Sequence, residues 1–151
     1  MCMVVYVGSD YLLPTWPWEQ TKPAFHVTDL GHPDHPVRAR FTKPFVFYAG
    51  SQDGCGCGFH YGPYGGGDPD AVVEDATAAC RRAFGEYLAV ALQHQNEVEV
   101  YACWSGDEAE PPEYHDRATP AEMGSGEVYV REREIVIVSN APVAESGPAA
   151  R

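Results

Sequence analysis

Eight of the 18 residues from Gly50 to Gly67 are glycine (positions 50, 54, 56, 58, 62, 65, 66 and 67). Such a density is needed only where backbone angles are unusual or chain segments pack very closely. The segment before it, Phe45-Val46-Phe47-Tyr48-Ala49, is continuously apolar, β-branched and aromatic, and reads as a central strand covered on both faces. The segment after it opens with Asp68-Pro69-Asp70, which offers an N-cap, a proline suited to the first turn and an acid favourable to the helix dipole. Val73, Ala76, Cys80, Phe84, Tyr87 and Ala91 then recur at helical spacing, and the pattern predicts one long helix over about 69–95, with Asn96 as its stop. Strand, glycine loop and helix in this order require an α and β mixture around one core.

The rest of the chain supplies further strands. Met3 to Val7 is a short apolar run closed by Gly8-Ser9-Asp10, and Phe25 to Asp29 reads as a second strand. Trp16 and Trp18 lie between prolines in a loop and are expected to cap the edge of a core. Val37 to Phe41 fits either a helical turn or an extended piece. Glu97 to Trp104 alternates, with Val98, Val100, Ala102 and Trp104 on one face and Glu97, Glu99, Tyr101 and Cys103 on the other. Thr119-Pro120-Ala121-Glu122 has capping-box spacing for a brief helix. Glu127 to Arg131 and Glu134 to Val138 read as two last strands, joined too closely for anything but a tight hairpin or one bent strand. The expected fold is α+β, a single domain over 1–139 with a mixed sheet of about five to six strands packed against the long helix. Residues 140–151, rich in Ala, Pro, Ser and Gly, are expected to form a disordered tail.

Charge and cysteine usage narrow the function classes. Ten Lys and Arg face 22 Asp and Glu, a formal net charge of −12, so the chain's field repels nucleic acid and anionic lipid. No run approaches the ~20 apolar residues of a membrane span, and the start lacks a basic signal region. A cytoplasmic location is the expectation. Five cysteines, an odd number, argue for reduced thiols over a disulfide framework. Between Glu97 and Glu122 stand eight acids and one base, Arg117. Such a run is either a solvated face or the surface by which a non-catalytic acidic adaptor or inhibitor binds a basic protein partner.

The chemistry-bearing motif is Gly54-Cys55-Gly56-Cys57-Gly58-Phe59-His60. Two thiols one residue apart on a freely bending backbone can converge on one soft ion such as zinc or another thiophilic metal, and His60 can add a nitrogen. A closed site needs more ligands, and Cys2, His26 or Cys103 could complete it in space. The same pair of thiols also suits redox chemistry, because a Cys55–Cys57 disulfide would close a small, easily reduced ring. The opposing structural reading is that glycines and cysteines pack as small inert residues where segments cross. Neither a P-loop nor a dinucleotide fingerprint is present, and no Gly-x-Ser-x-Gly elbow supports a serine hydrolase.

A third class comes from the opening residues. The Met1-Cys2 start resembles that of class II glutamine amidotransferases and of SOS-response-associated peptidases. The resemblance covers these two residues. It implies an N-terminal nucleophile amidohydrolase in which, once the methionine is removed, the α-amine of Cys2 activates its own thiol.

Overall fold

The computed structural model describes residues 2–59 and 71–141, with side chains in the second stretch from residue 76 onward. Six strands form one sheet: β1 (Met3–Ser9), β2 (His26–Asp29), β3 (Phe45–Gly50), β4 (Glu97–Trp104), β5 (Tyr114–Ala118) and β6 (Glu134–Ser139). Their spatial order is β2-β3-β1-β4-β6-β5. All neighbours are antiparallel except β5 and β6, which are parallel, so the sheet is mixed. One main helix, α1 (Ala71–Ala91), and a short one, α2 (Pro120–Ser125), complete the α+β domain. Neither helix is long and apolar enough to cross a membrane.

The helical stripe packs as its spacing requires. Cys80, Phe84, Tyr87, Leu88 and Ala91 are buried against Val5, Val7, Phe47, Ala49, Val98 and Val100. Fully burying side chains of this size contributes about 1.5–3 kcal/mol each. Phe84 stacks against both Phe25 and Phe59, with ring centroids 5.4 and 5.2 Å apart, and Trp16 meets Phe25 and Tyr87 edge-on. The loop tryptophan thus caps the core edge. Helix α1 ends at Ala91, before the expected stop, because the Gln95 side chain takes over. Its Nε2 donates to Ala91 O and Ser9 Oγ, and its Oε1 accepts from Asp10 N. The expected helix start at residues 68–70 lies outside the described residues.

The second face of the sheet is also covered. Val4, Tyr6, Val46, Tyr101, Cys103 and Ile135 pack under the segment that carries Leu30, Val37 and Phe41, where residues Pro36–Arg40 form a 3₁₀ turn. The alternation in β4 therefore separates two buried faces, and Glu99 is buried on the second of them. Its carboxylate accepts from Thr42 N (3.0 Å) and from the Thr42 hydroxyl, which fastens the covering segment.

One expectation at the C-terminal end is corrected, and one unexpected strand appears. Residues 127–131 form no strand, because both edges of β6 are already paired, with β4 and with β5. Val128 and Val130 instead fold inward against the helical core. β5, with the polar sequence Tyr-His-Asp-Arg-Ala, carries no apolar alternation and pairs as an edge strand, half exposed. The Thr119 to Glu122 capping box forms with both of its hydrogen bonds.

Helices α1 and α2 cross at Gly85 and Gly124. A Cβ on Gly85 would lie 2.7 Å from both Gly124 Cα and Pro120 O, backbone atoms that cannot turn away. Gly85→Ala is expected to cost about 1–3 kcal/mol through overpacking and to lower Tm by roughly 3–10 °C. An unchanged Tm in a calorimetric scan would contradict this crossing.

Candidate metal centre

The site forms where the exit of β3 meets the entry of β1. These strands pair antiparallel with Val5 opposite Ala49, and continuing that register brings Met3 level with Ser51. The loop after β3 then turns back onto β1. Gly56 N donates to Met3 O (2.8 Å), and Met3 N donates to Cys57 Sγ (3.3 Å). Cys2 is held on the other side, its carbonyl accepting from Ser105 N (2.8 Å) after β4. The sulfur atoms of Cys2, Cys55 and Cys57 all lie within 4.8 Å of one another.

Ser51 shapes the loop from inside. It is fully buried; its hydroxyl donates to Cys55 O (2.6 Å) and accepts from Gly58 N (3.1 Å) and Asp53 N (3.3 Å). Ser51 N donates to the same Cys55 carbonyl, and Gly54 N to Ser51 O. Gly54 adopts φ +83°, the left-handed region where a side chain is strained, and the Tyr48 hydroxyl donates to its carbonyl at 2.7 Å. Gly56 is required for another reason. A Cβ there would come 2.7 Å from Val5 Cγ2, so only glycine lets the loop lie on β1. Helix α1 holds both ends: Gln52 Nε2 donates to Thr77 Oγ1, and Arg81 Nε to Phe59 O (2.7 Å).

The three thiols differ in exposure, with Cys2 exposed and Cys55 and Cys57 half-buried. Burial pushes the Cys55 thiol up to about 12; the nearby Cys57 backbone N–H opposes the shift, and the Cys57 and Cys2 thiols add to it. Without a cation Cys55 is therefore held as a thiol, the reverse of the activation that a nucleophile or fast redox pair needs. A metal ion supplies the positive charge that converts such thiols into ligands.

Of the expected ligands, the structure brings Cys2 together with Cys55 and Cys57. Cys103 is not among them. It is fully buried on the second sheet face beside Val4 and Tyr101, where burial pushes its thiol up to about 12. His26 is also elsewhere, its Nδ1 3.2 Å from Ala24 O and its ring between Trp18 and Tyr48. His60 lies outside the described residues. Cys80 faces the helical core. Two supporting residues, Ser51 and Tyr48, carry no sequence signal beyond their position flanking the glycine loop.

The acidic run has internal employment. Glu97 pairs with Arg117 (3.1 Å), Glu113 with Arg133 (2.6 Å), Glu99 with Thr42, and Glu122 with its helix cap, while Glu108 accepts from the Tyr6 hydroxyl (3.2 Å). Comparison with protein-family models, with curated proteins and with solved structures returns no match to this chain.

Two outcomes follow from this geometry. Ser51→Ala removes the hydroxyl that ties Cys55 O to Gly58 N, and is expected to cost about 1–3 kcal/mol and to speed alkylation of Cys55 and Cys57. An unaltered alkylation rate would contradict the role of Ser51. The alkaline side is the second. Cys55, Cys103, Tyr48 and Tyr101 are pushed from ordinary values of 9.0 or 10.0 to about 12 by burial. The unfolded chain then loses these protons first, so the stability they contribute is complete below pH 9 and is lost as pH rises toward 12. Circular dichroism melts should give a Tm that is level in this respect up to pH ~9 and declines above it; no decline would contradict the burial of these groups.

Proposed function

We propose that the chain binds a thiophilic metal ion through Cys2, Cys55 and Cys57, with zinc the first such ion to test. The observation that carries this reading is the convergence of three sulfurs, contributed by segments more than 50 residues apart, on one half-buried spot. Soft thiolate sets of this kind select zinc, copper(I) and related ions. Sulfurs on a triangle of side about 3.8–4.0 Å sit ~2.3 Å from a common zinc ion, within the span that the cluster allows. We place His60 as the fourth ligand of a zinc complex, three residues beyond Cys57, because closed zinc sites take four donors.

Thiol redox chemistry at Cys55 and Cys57 has less support, since burial raises the Cys55 thiol. An adaptor that binds a basic protein through residues 97–122 also has less support, since several of those acids already serve partners within the chain. The N-terminal nucleophile reading of Cys2 rests on the two-residue resemblance; the groups gathered around its sulfur are two more thiols.

The test is the metal content of untagged protein purified anaerobically without chelator, next to Cys55→Ser/Cys57→Ser. Near-stoichiometric metal in the wild type, lost in the double variant together with about 2–5 °C or more of Tm, is expected. His60→Ala should weaken zinc without abolishing it, because three sulfur donors remain. Metal-free wild type that also fails to take up added zinc or cadmium would remove the reading.

A further inference from the structure

Resting on the three-thiol reading above, we propose that the triad's preferred occupant is a trivalent metalloid of the arsenite type, an uncharged trihydroxide, rather than a divalent cation. Three observations carry this. The donor set is all sulfur: among the described residues no carboxylate oxygen or imidazole nitrogen joins the three Sγ atoms within the 4.8 Å cluster. Among the described residues it numbers three, the coordination that a trivalent metalloid completes with its lone pair on the remaining side, so that the His60 nitrogen assigned above to zinc is not required. Cys2, at one corner, is exposed, so that side has access to solvent.

Charge separates the candidates further. Three thiolates around a dication leave a net −1, and around copper(I) a net −2, whereas around a trivalent centre they leave zero. A half-buried negative complex needs compensating cations. Four of the described bases are committed to carboxylates, Lys43 to Asp10, Arg117 to Glu97, Arg131 to Glu134, and Arg133 to Glu110 and Glu113, while Arg81 donates to Phe59 O at the end of the loop. The stretch 60–70 that continues the loop contains two aspartates and no lysine or arginine. What the structure gives the sulfurs is backbone N–H, Met3 N toward Cys57 Sγ. The whole chain adds a background of −12. Neutral exchange avoids this cost. Three arsenic–oxygen bonds break and three arsenic–sulfur bonds form; the thiol protons leave with the three hydroxyls as water, arsenic stays trivalent, and no electron is transferred.

The experiment uses the full chain, anaerobic at neutral pH, loaded with one equivalent of zinc and then titrated with sodium arsenite. Released zinc is read with a chromophoric chelator, the arsenic adduct by native mass spectrometry, and remaining thiols by alkylation and peptide mapping. The expected result is displacement of zinc by about one equivalent of arsenite, an adduct of one arsenic with three hydrogens lost, and protection of Cys2, Cys55 and Cys57 together. Cys2→Ser, a change at an exposed position, should weaken arsenite at least tenfold while leaving the circular dichroism spectrum unchanged. Zinc that stays bound, or an adduct protecting only Cys55 and Cys57, overturns the metalloid proposal and leaves the metal site standing. A chain that takes up neither zinc nor arsenite overturns both.

Discussion

Antiparallel pairing of β1 with β3 sets the distance between Cys2 and the loop that leaves β3. With Val5 opposite Ala49, the residue before β1 and the residues after β3 must emerge at the same end of the sheet's strands. Everything at the site elaborates that constraint. Gly56 N bonds back to Met3 O, Ser51 folds the loop around its own hydroxyl, and Gly54 takes the left-handed turn that brings Cys55 round. Helix α1 then clamps the loop through Thr77 and Arg81. The segments that carry the thiols are thus held by backbone hydrogen bonds and close packing.

The same sheet explains why polar groups in this chain have so little freedom. Both faces of β1, β3 and β4 are covered, one by α1 and α2 and the other by the segment around Val37 and Phe41. Carboxylates that enter the covered faces do so as fasteners. Glu99 secures Thr42, and Glu134, fully buried, accepts from Arg131 N (2.8 Å) and pairs with its guanidinium. Tyr6 shows the consequence for titration: burial, reinforced by the Glu108 carboxylate, holds its hydroxyl protonated far above the ordinary range. An acidic chain can therefore place many of its acids in structural service, where each replaces water with a specific donor.

Periodicity made most of the framework legible. The boundaries of β4, the buried stripe of α1 and the α2 capping box all follow from spacing, because a single buried face imposes a repeat on the sequence. β5 was not legible, since a polar edge strand buries little and has no alternation to display. The strand expected at 127–131 failed for a topological reason: its apolar residues satisfy the helical core once β6 has no free edge. At the site, Cys55 and Cys57 announce themselves locally through the glycines around them. The third sulfur did not, because Cys2, His26 and Cys103 are equivalent in sequence until strand order is known. Pairing β1 beside β3 selects Cys2, and the alternation of β4 sends Cys103 to the buried second face.

The central claim is that three sulfurs from two distant segments act as one ligand set. X-ray absorption at the zinc edge of the zinc-loaded chain reads that set directly. Three sulfurs at ~2.3 Å with one lighter donor are expected around the zinc, falling to two sulfurs in Cys2→Ser. A shell of nitrogen and oxygen, or one of two sulfurs that Cys2→Ser leaves unchanged, would contradict the claim.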